Sequence, residues 1–272
     1  MASELLQTKL AVPPLRAALV ARRALFARLD EGMLRRLTLV SAPAGYGKTT
    51  LVASWLAQKR EAVGWISLDK GDNDPARFLL YLLAALRDAC PTLQGPAPTL
   101  FHAPHPPPPE QVLTTLINEF ERQFDGPAGS NRCVLVLDDY HVIANEALHA
   151  AIAFLLVHLP QALSVIIITR ADPPLPLARL RAQGQLLELR QADLRFTLEE
   201  TGDFLHDVMR LALDAEETTL LANRTESWIA GLQLAALSLR RCEDSAQFVR
   251  MFGGSHRFVL DYLLEEVLQG QE

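Results

Sequence analysis

Apolar and polar positions along the chain fall into blocks that alternate between strand-length runs and helical spacing. The first block, RRLTLVSAPAGYGKTTLVASWLAQ, opens with an apolar run from Leu37 to Val40, passes through small residues, and continues with Leu51, Trp55 and Leu56 at helical spacing. It predicts strand, loop, helix. VGWISL (Val63 to Leu68) predicts a short strand, and Asp74-Pro75 supplies an N-cap and first helical position for FLLYLLAALRDAC, a helix apolar nearly all round and so mostly buried. A helix is expected near Gln111 to Phe124, then a buried strand Val134 to Leu137 inside RCVLVLDDYH. Helix Glu146 to His158, strand LSVIIITR, helix Ala178 to Gln183 and the short strand LLELR follow. Strands alternating with helices predict an α/β fold, a parallel sheet with helices on both faces.

After Arg195 the pattern turns to helices alone. Thr197-x-x-Glu200 and Asp214-x-x-Glu217 form capping boxes that open two of them, a third is expected from about Glu226 to Arg240, and a last pair spans Ser245 to Phe252 and His256 to Leu268. This predicts a small all-α helical domain after the sheet. Few apolar residues follow Leu268 to pack that helix, so a fragment of a longer protein is expected. Between Pro91 and Pro109 the chain carries eight of its 17 prolines, which cannot join a sheet interior or continue a helix. That stretch predicts an exposed excursion, a stiff spacer or a site for a proline-binding partner.

Composition narrows the function classes. With 49 % apolar and 21 % charged residues among 272, the chain has the makings of a folded globular protein. Lys plus Arg is 26 against 32 Asp plus Glu, and the net charge of −6 speaks against direct DNA binding as the main activity of this segment. Three cysteines, at 90, 133 and 242, show no paired spacing, so neither a disulfide framework nor a cysteine-based zinc site is suggested. No apolar stretch reaches about 18 residues and the N-terminus lacks a secretion signal, so no membrane contact and a cytoplasmic location are expected. Neither HExxH nor GxSxG is present, which leaves metal hydrolysis and serine hydrolysis without support.

The chemistry-bearing string is Ala42-Pro-Ala44-Gly45-Tyr46-Gly47-Lys48-Thr49-Thr50, a phosphate-binding loop pattern with Ala42 where a first glycine usually stands. Small residues let the backbone wrap a β-phosphate with its N–H groups, Lys48 reaches the β- and γ-phosphates, and the Thr49 hydroxyl binds Mg2+. Asp138 and Asp139 stand at the C-terminal end of a buried strand, the sheet edge where ligands bind in open α/β folds. Asp138 is the candidate to hold Mg2+ through water, and Asp139 the candidate to orient or deprotonate an attacking water. The alternative is a pair of acids capping the next turn. Arg170 follows the next strand at the same edge, as a γ-phosphate sensor or a plain surface cation.

These residues carry a family resemblance. APAGYGKTT, VLVLDDYH, the strand ending in Thr169-Arg170, PPLPLARLRAQGQLLELRQADLRFTLEE and SWIAGLQLAALSLR together resemble the STAND-class, NB-ARC-like ATPase module of MalT-like, large LuxR-type transcriptional activators. The likeness runs over nearly the whole chain and implies a P-loop NTPase fold. It implies domains at 1–195 (nucleotide-binding, with an adenine-side segment 1–36), 196–243 (helical) and 244–272 (the start of a winged-helix region). It places Val20 and Arg22 near the adenine, and puts Ser227-Trp228-Ile229 in the slot of a Gly-x-Pro element that touches the base; a core tryptophan is the other reading of Trp228.

The function implied is an ATP/ADP switch in a signal-responsive activator. ADP holds the resting state, ATP drives self-association of the full-length protein, and slow Mg2+-dependent hydrolysis catalysed through Lys48, Asp139 and Arg170 resets it. DNA binding belongs to a domain outside this segment. Two other classes stay open on the residues alone, a phosphoryl-transfer enzyme such as a small-molecule kinase and a nucleotide-binding scaffold that does not hydrolyse.

Overall fold

The computed structural model describes residues 5–59, 61–96, 101, 107–123, 132–240 and 248–249. A short helix α1 (Gln7–Leu10) and α2 (Arg23–Gly32) precede β1 (Leu37–Ser41) and α3 (Lys48–Leu56). Then come β2 (Ala62–Ser67), α4 (Pro75–Ala89), α5 (Pro109–Gln123), β3 (Cys133–Asp138), α6 (Glu146–Val157), β4 (Leu163–Thr169), α7 (Leu177–Ala182) and β5 (Leu186–Arg190). The helical remainder is α8 (Gln191–Leu194), α9 (Leu198–Asp203) running into a π-turn at Phe204–Val208, α10 (Ala215–Thr225) and α11 (Ile229–Leu239). The expected pair at 245–252 and 256–268, and with it the winged-helix start at 244–272, lies outside the described residues.

Contacts divide the described residues into two compact units, one within Met1–Pro14, Ala24–Ser41 and Thr49–Leu189, the other within Leu15–Arg23, Ala42–Lys48 and Arg190–Glu272. The first is built on a five-stranded parallel sheet in the order β2-β3-β4-β1-β5. Every residue of β1, β3 and β4 is buried, as a strand covered by helices on both faces requires. The edges are closed by local chemistry. β1 takes the Gln185 carbonyl through Leu37 N–H, so the carbonyls of Leu186 and Glu188 face outward, and Arg35 and Arg28 donate to them. At the other edge α1 lies against β2. Asp74 caps α4 by accepting from Arg77 N–H at 2.8 Å with Pro75 at the first helical position, as its sequence predicts.

The second unit has its own core around Phe196, Phe204, Leu205, Leu221, Leu232 and Ala235, with Val20 packed against it. Both predicted capping boxes form: Thr197 Oγ1 accepts from Glu200 N–H at 3.1 Å, and Asp214 Oδ1 from Glu217 N–H at 2.8 Å. One boundary differs. The last described helix starts at Ile229 rather than about Glu226, because Glu226 and Ser227 take φ of 50° and 52°, left-handed backbone that ends α10 and cannot start α11.

Candidate functional site

Within the second unit, the glycine loop follows β1 along the chain and leads into α3. Gly45 and Gly47 have φ of +79° and +69°, the conformation that lets successive amides line one concavity, and side-chain-bearing residues seldom adopt it. Lys48 is buried and its Nζ donates to the Pro43 carbonyl at 2.9 Å. Thus the loop is backed by its own lysine. Its outer side is fastened by the start of α11: Trp228 Nε1 donates to Ala44 O at 3.2 Å and Ala230 N–H to Gly45 O at 3.0 Å. The Tyr46 ring lies 6.3 Å from the Trp228 ring, and its hydroxyl accepts from Gln191 Nε2 at 2.6 Å. A Cβ on Gly45 would stand 2.6 Å from Ala230 Cβ, and one on Gly47 3.0 Å from Ile229 Cδ1.

Trp228 and Ile229 therefore meet the loop, and Val20, like them, packs against the helical core. The buried Arg22 guanidinium donates to Glu200 (2.9 Å) and to the carbonyls of Asp193, Leu194 and Arg195, so its side chain ties the segment before α2 to α8 and α9. Its charge is balanced there. Burial lowers its pKa, with Glu200 opposing. A nucleotide at Arg22 would meet its backbone rather than these donors.

Within the first unit, the carboxyl ends of the strands bring another set together. Register aligns Ser67 with Asp138 and Ser41 with Thr169. Asp138 is buried, and its Oδ1 accepts from Thr49 Oγ1 at 3.0 Å and from Asp139 N–H at 3.0 Å. A hydroxyl and a carboxylate at that separation fit Mg2+, which takes one or two protein oxygens and fills its octahedron with phosphate oxygens and water. Asp139 has left-handed backbone (φ 56°, ψ 37°), and its half-exposed carboxylate lies 3.8 Å from His141 Nδ1. Arg170 follows β4 and is half-buried; Thr50 is exposed on α3. Behind the strand end, Tyr140 and His149 share a buried hydrogen bond at 3.0 Å, and burial lowers the His149 pKa.

Some of this had no sequence signal. The Gln191 amide on Tyr46 and the Ala230 amide on Gly45 join segments far apart in the chain, which no local pattern reports. The same holds for Asn73, whose side chain reaches the β3–α6 connection.

The sequence pattern of the AAA ATPase domain family matches residues 15–168. The chain is 37 % identical over 266 residues to the HTH-type transcriptional regulator MalT of Yersinia enterocolitica and 38 % identical over 267 residues to that of Serratia proteamaculans. Each alignment covers 97 % of this chain and 29 % of the relative, so the chain spans under a third of their length. Among solved structures it resembles a Walker-type ATPase of Pyrococcus abyssi, with a TM-score of 0.60 at 13 % identity over 94 % of this chain and 75 % of the other. That likeness is one of fold.

Proposed function

The chain belongs to the AAA ATPase domain family, and from that premise we propose that it is the ATP/ADP-binding switch module of a signal-responsive transcriptional activator. The observation that carries the reading is the loop with left-handed Gly45 and Gly47 between β1 and α3, where a polyphosphate is the ligand whose oxygens match a run of backbone donors. Ala44 to Gly47 cradle the phosphates. Lys48 exchanges its bond to Pro43 O for phosphate oxygens; Thr49, and Asp138 through water, would hold a Mg2+ ion, which would supply charge neutralisation at the phosphates. Asp139 orients or deprotonates the attacking water, Arg170 senses the γ-phosphate, and hydrolysis is slow. Val20, the Arg22 backbone, Trp228 and Ile229 face the nucleoside side.

The regulatory part follows from differential binding, since only ATP makes γ-phosphate contacts and so only ATP biases the state that self-associates. We assign the nucleotide-binding domain to 1–195, the helical domain to 196–243 and the start of a winged helix to 244–272. The MalT relatives are named as HTH-type transcriptional regulators, which supports a DNA-binding segment elsewhere in the full protein and a cytoplasmic setting. Among the described residues no helix is long and apolar enough to cross a membrane.

The test is to denature freshly purified protein and identify released nucleotide by chromatography, beside Lys48→Ala. Stoichiometric ADP in the wild type that is lost in the variant is expected. Wild-type protein that carries no nucleotide and binds neither added ADP nor ATP would sink the proposal. ATP turnover that depends on an added acceptor would move the reading to a kinase, and binding without turnover to a scaffold.

A further inference from the structure

Asp139 sits at the start of a connection whose path is set by a side chain from a different loop. Asn73 closes the 3₁₀ turn Lys70–Asn73 after β2. Its Nδ2 donates to the carbonyls of Lys70 (3.0 Å) and Val142 (2.9 Å), and its Oδ1 accepts from the amides of Ala144 (2.7 Å) and Asn145 (3.1 Å). A carboxamide has two donors and two lone pairs, so every hydrogen-bonding position of Asn73 is used, three of them on the segment 142–145. Asn145 returns the contact. Its Nδ2 donates to Asn73 O at 2.9 Å while its Oδ1 caps α6 by accepting from Ala147 N–H at 2.9 Å.

The clamp is anchored at both ends. Next to Asn73, Asp72 is fully buried and accepts from Lys9 Nζ, from Arg77 Nε at 3.0 Å and from Asp69 N–H at 2.8 Å, so the turn cannot drift. On the far side the clamped segment runs back through Val142 N–H to Asp139 O at 3.1 Å. Asp139 itself is left-handed, a conformation that costs a residue with a side chain free energy and that the clamped connection helps to hold. Asparagine is the residue this pattern needs. Aspartate lacks the donors for the Lys70 and Val142 carbonyls, serine has one donor, and glutamine sets the amide one methylene too far.

We propose that Asn73 is a positioning residue for Asp139, holding the β3–α6 connection so that the carboxylate meets the attacking water at the γ-phosphate. This rests on the role given to Asp139 above. It makes the loop after β2, which lies outside the string Ala42 to Thr50, a determinant of turnover but not of nucleotide affinity.

The test uses the full chain with Asn73→Ala, Asn73→Asp and Asn145→Asp, the last keeping the α6 cap and replacing the donor to Asn73 O by a carboxylate oxygen. In Asn73→Ala and Asn73→Asp, ADP affinity is expected to stay within about threefold of wild type, because the phosphate loop is untouched. The kcat for ATP falls on the order of 10- to 100-fold with KM little changed, the scale of loss for a misplaced catalytic group. Exchange of the Ala144 and Asn145 amides quickens, and Asn145→Asp shows a smaller loss of the same kind. In an Asp139→Ala background Asn73→Ala removes nothing further, since the two act as one unit. Unchanged kcat with quickened exchange overturns the positioning role, as does an equal loss in the Asp139→Ala background. Should Asn73→Ala not fold, Asn145→Asp decides by the same readouts. A wild type without turnover overturns the role of Asp139 and this proposal together, and is told apart because the variants then have no rate to lose.

Discussion

Gly45 has room for a hydrogen and nothing larger: its φ is +79° and a methyl there would stand 2.6 Å from Ala230 Cβ and 2.8 Å from the Trp228 indole. Gly45→Ala combines a left-handed alanine, about 1–2 kcal/mol, with overpacking of 1–3 kcal/mol, so a loss of about 3 kcal/mol is expected in chemical denaturation. Trp228→Phe keeps most of the ring and loses the donor to Ala44 O, and should cost only about 1 kcal/mol. Equal costs would mean that the ring, not the close approach, holds the loop. His149 gives a pH test. Burial lowers its pKa below the ordinary 6.5, so on acidification the unfolded chain takes up a proton before the folded one does. Stability present at pH 7.5 therefore drops as the pH falls through about 6.5 toward the depressed folded value. At Asp69 burial pushes the carboxyl up, but Lys9, the Gly71 amide and Arg77 hold it below the usual range, and its contribution is lost only below about pH 4. Urea midpoints at pH 7.5 and 5.5 for wild type and His149→Gln separate the two; an equal drop in both proteins would clear His149.

At the scale of elements, α1 is held by one buried ion network rather than by its own length. Lys9 is 6 % exposed, donates to Asp69 and Asp72, and stands 4.4 Å from the Tyr81 ring centre, while Asp72 is 0 % exposed. Lys9→Met strands part of a buried charge and should cost about 3 kcal/mol by thermal or urea unfolding. Arg77→Met, whose side chain is 44 % exposed, should cost nearer 1 kcal/mol. A reversal of that order would mean that Arg77 alone neutralises Asp72. This network also marks what the sequence could and could not tell. Asp74-Pro75 and the Thr197 and Asp214 boxes are local devices, so α4, α9 and α10 were legible within a turn. The continuous apolar runs of β1, β3 and β4 announced a doubly covered sheet, and its edge residues Asp138, Asp139 and Arg170 with it. By contrast α1 has four residues and no periodicity to show, and the start of α11 depends on the left-handed pair Glu226 and Ser227, which carries no glycine to announce it. Asn73 was invisible for a third reason: its partners lie about 70 residues away, and only the fold brings them together.

For the whole molecule the consequence is thermodynamic. Each compact unit has its own apolar core, one under the sheet around Leu82, Leu135 and Ile167 and one around Leu205, Leu221 and Leu232. Calorimetry of the chain should accordingly resolve two components of unfolding rather than one. The loop residues Ala42 to Lys48 group with the helical core, although along the chain they lie between β1 and the rest of α3. A ligand held by Gly45, Gly47 and Lys48 then stabilises the component that contains Leu221 and Leu232, by RT ln(1 + [L]/Kd). ADP in EDTA at about 100 times its Kd contributes about 2.7 kcal/mol, which for a unit of about 100 residues raises the midpoint by roughly 10 °C. Amide exchange identifies the component: Leu232 and Ala235 should gain protection, and Lys48→Ala should abolish both the shift and the protection. Protection that rises only at Leu135 and Ile167 would place the nucleotide's binding energy in the sheet and deny the glycine loop its part. Because EDTA removes Mg2+ from the assay, that outcome could not be blamed on the metal, and the proposed coupling of nucleotide to the helical unit stands or falls on the loop alone.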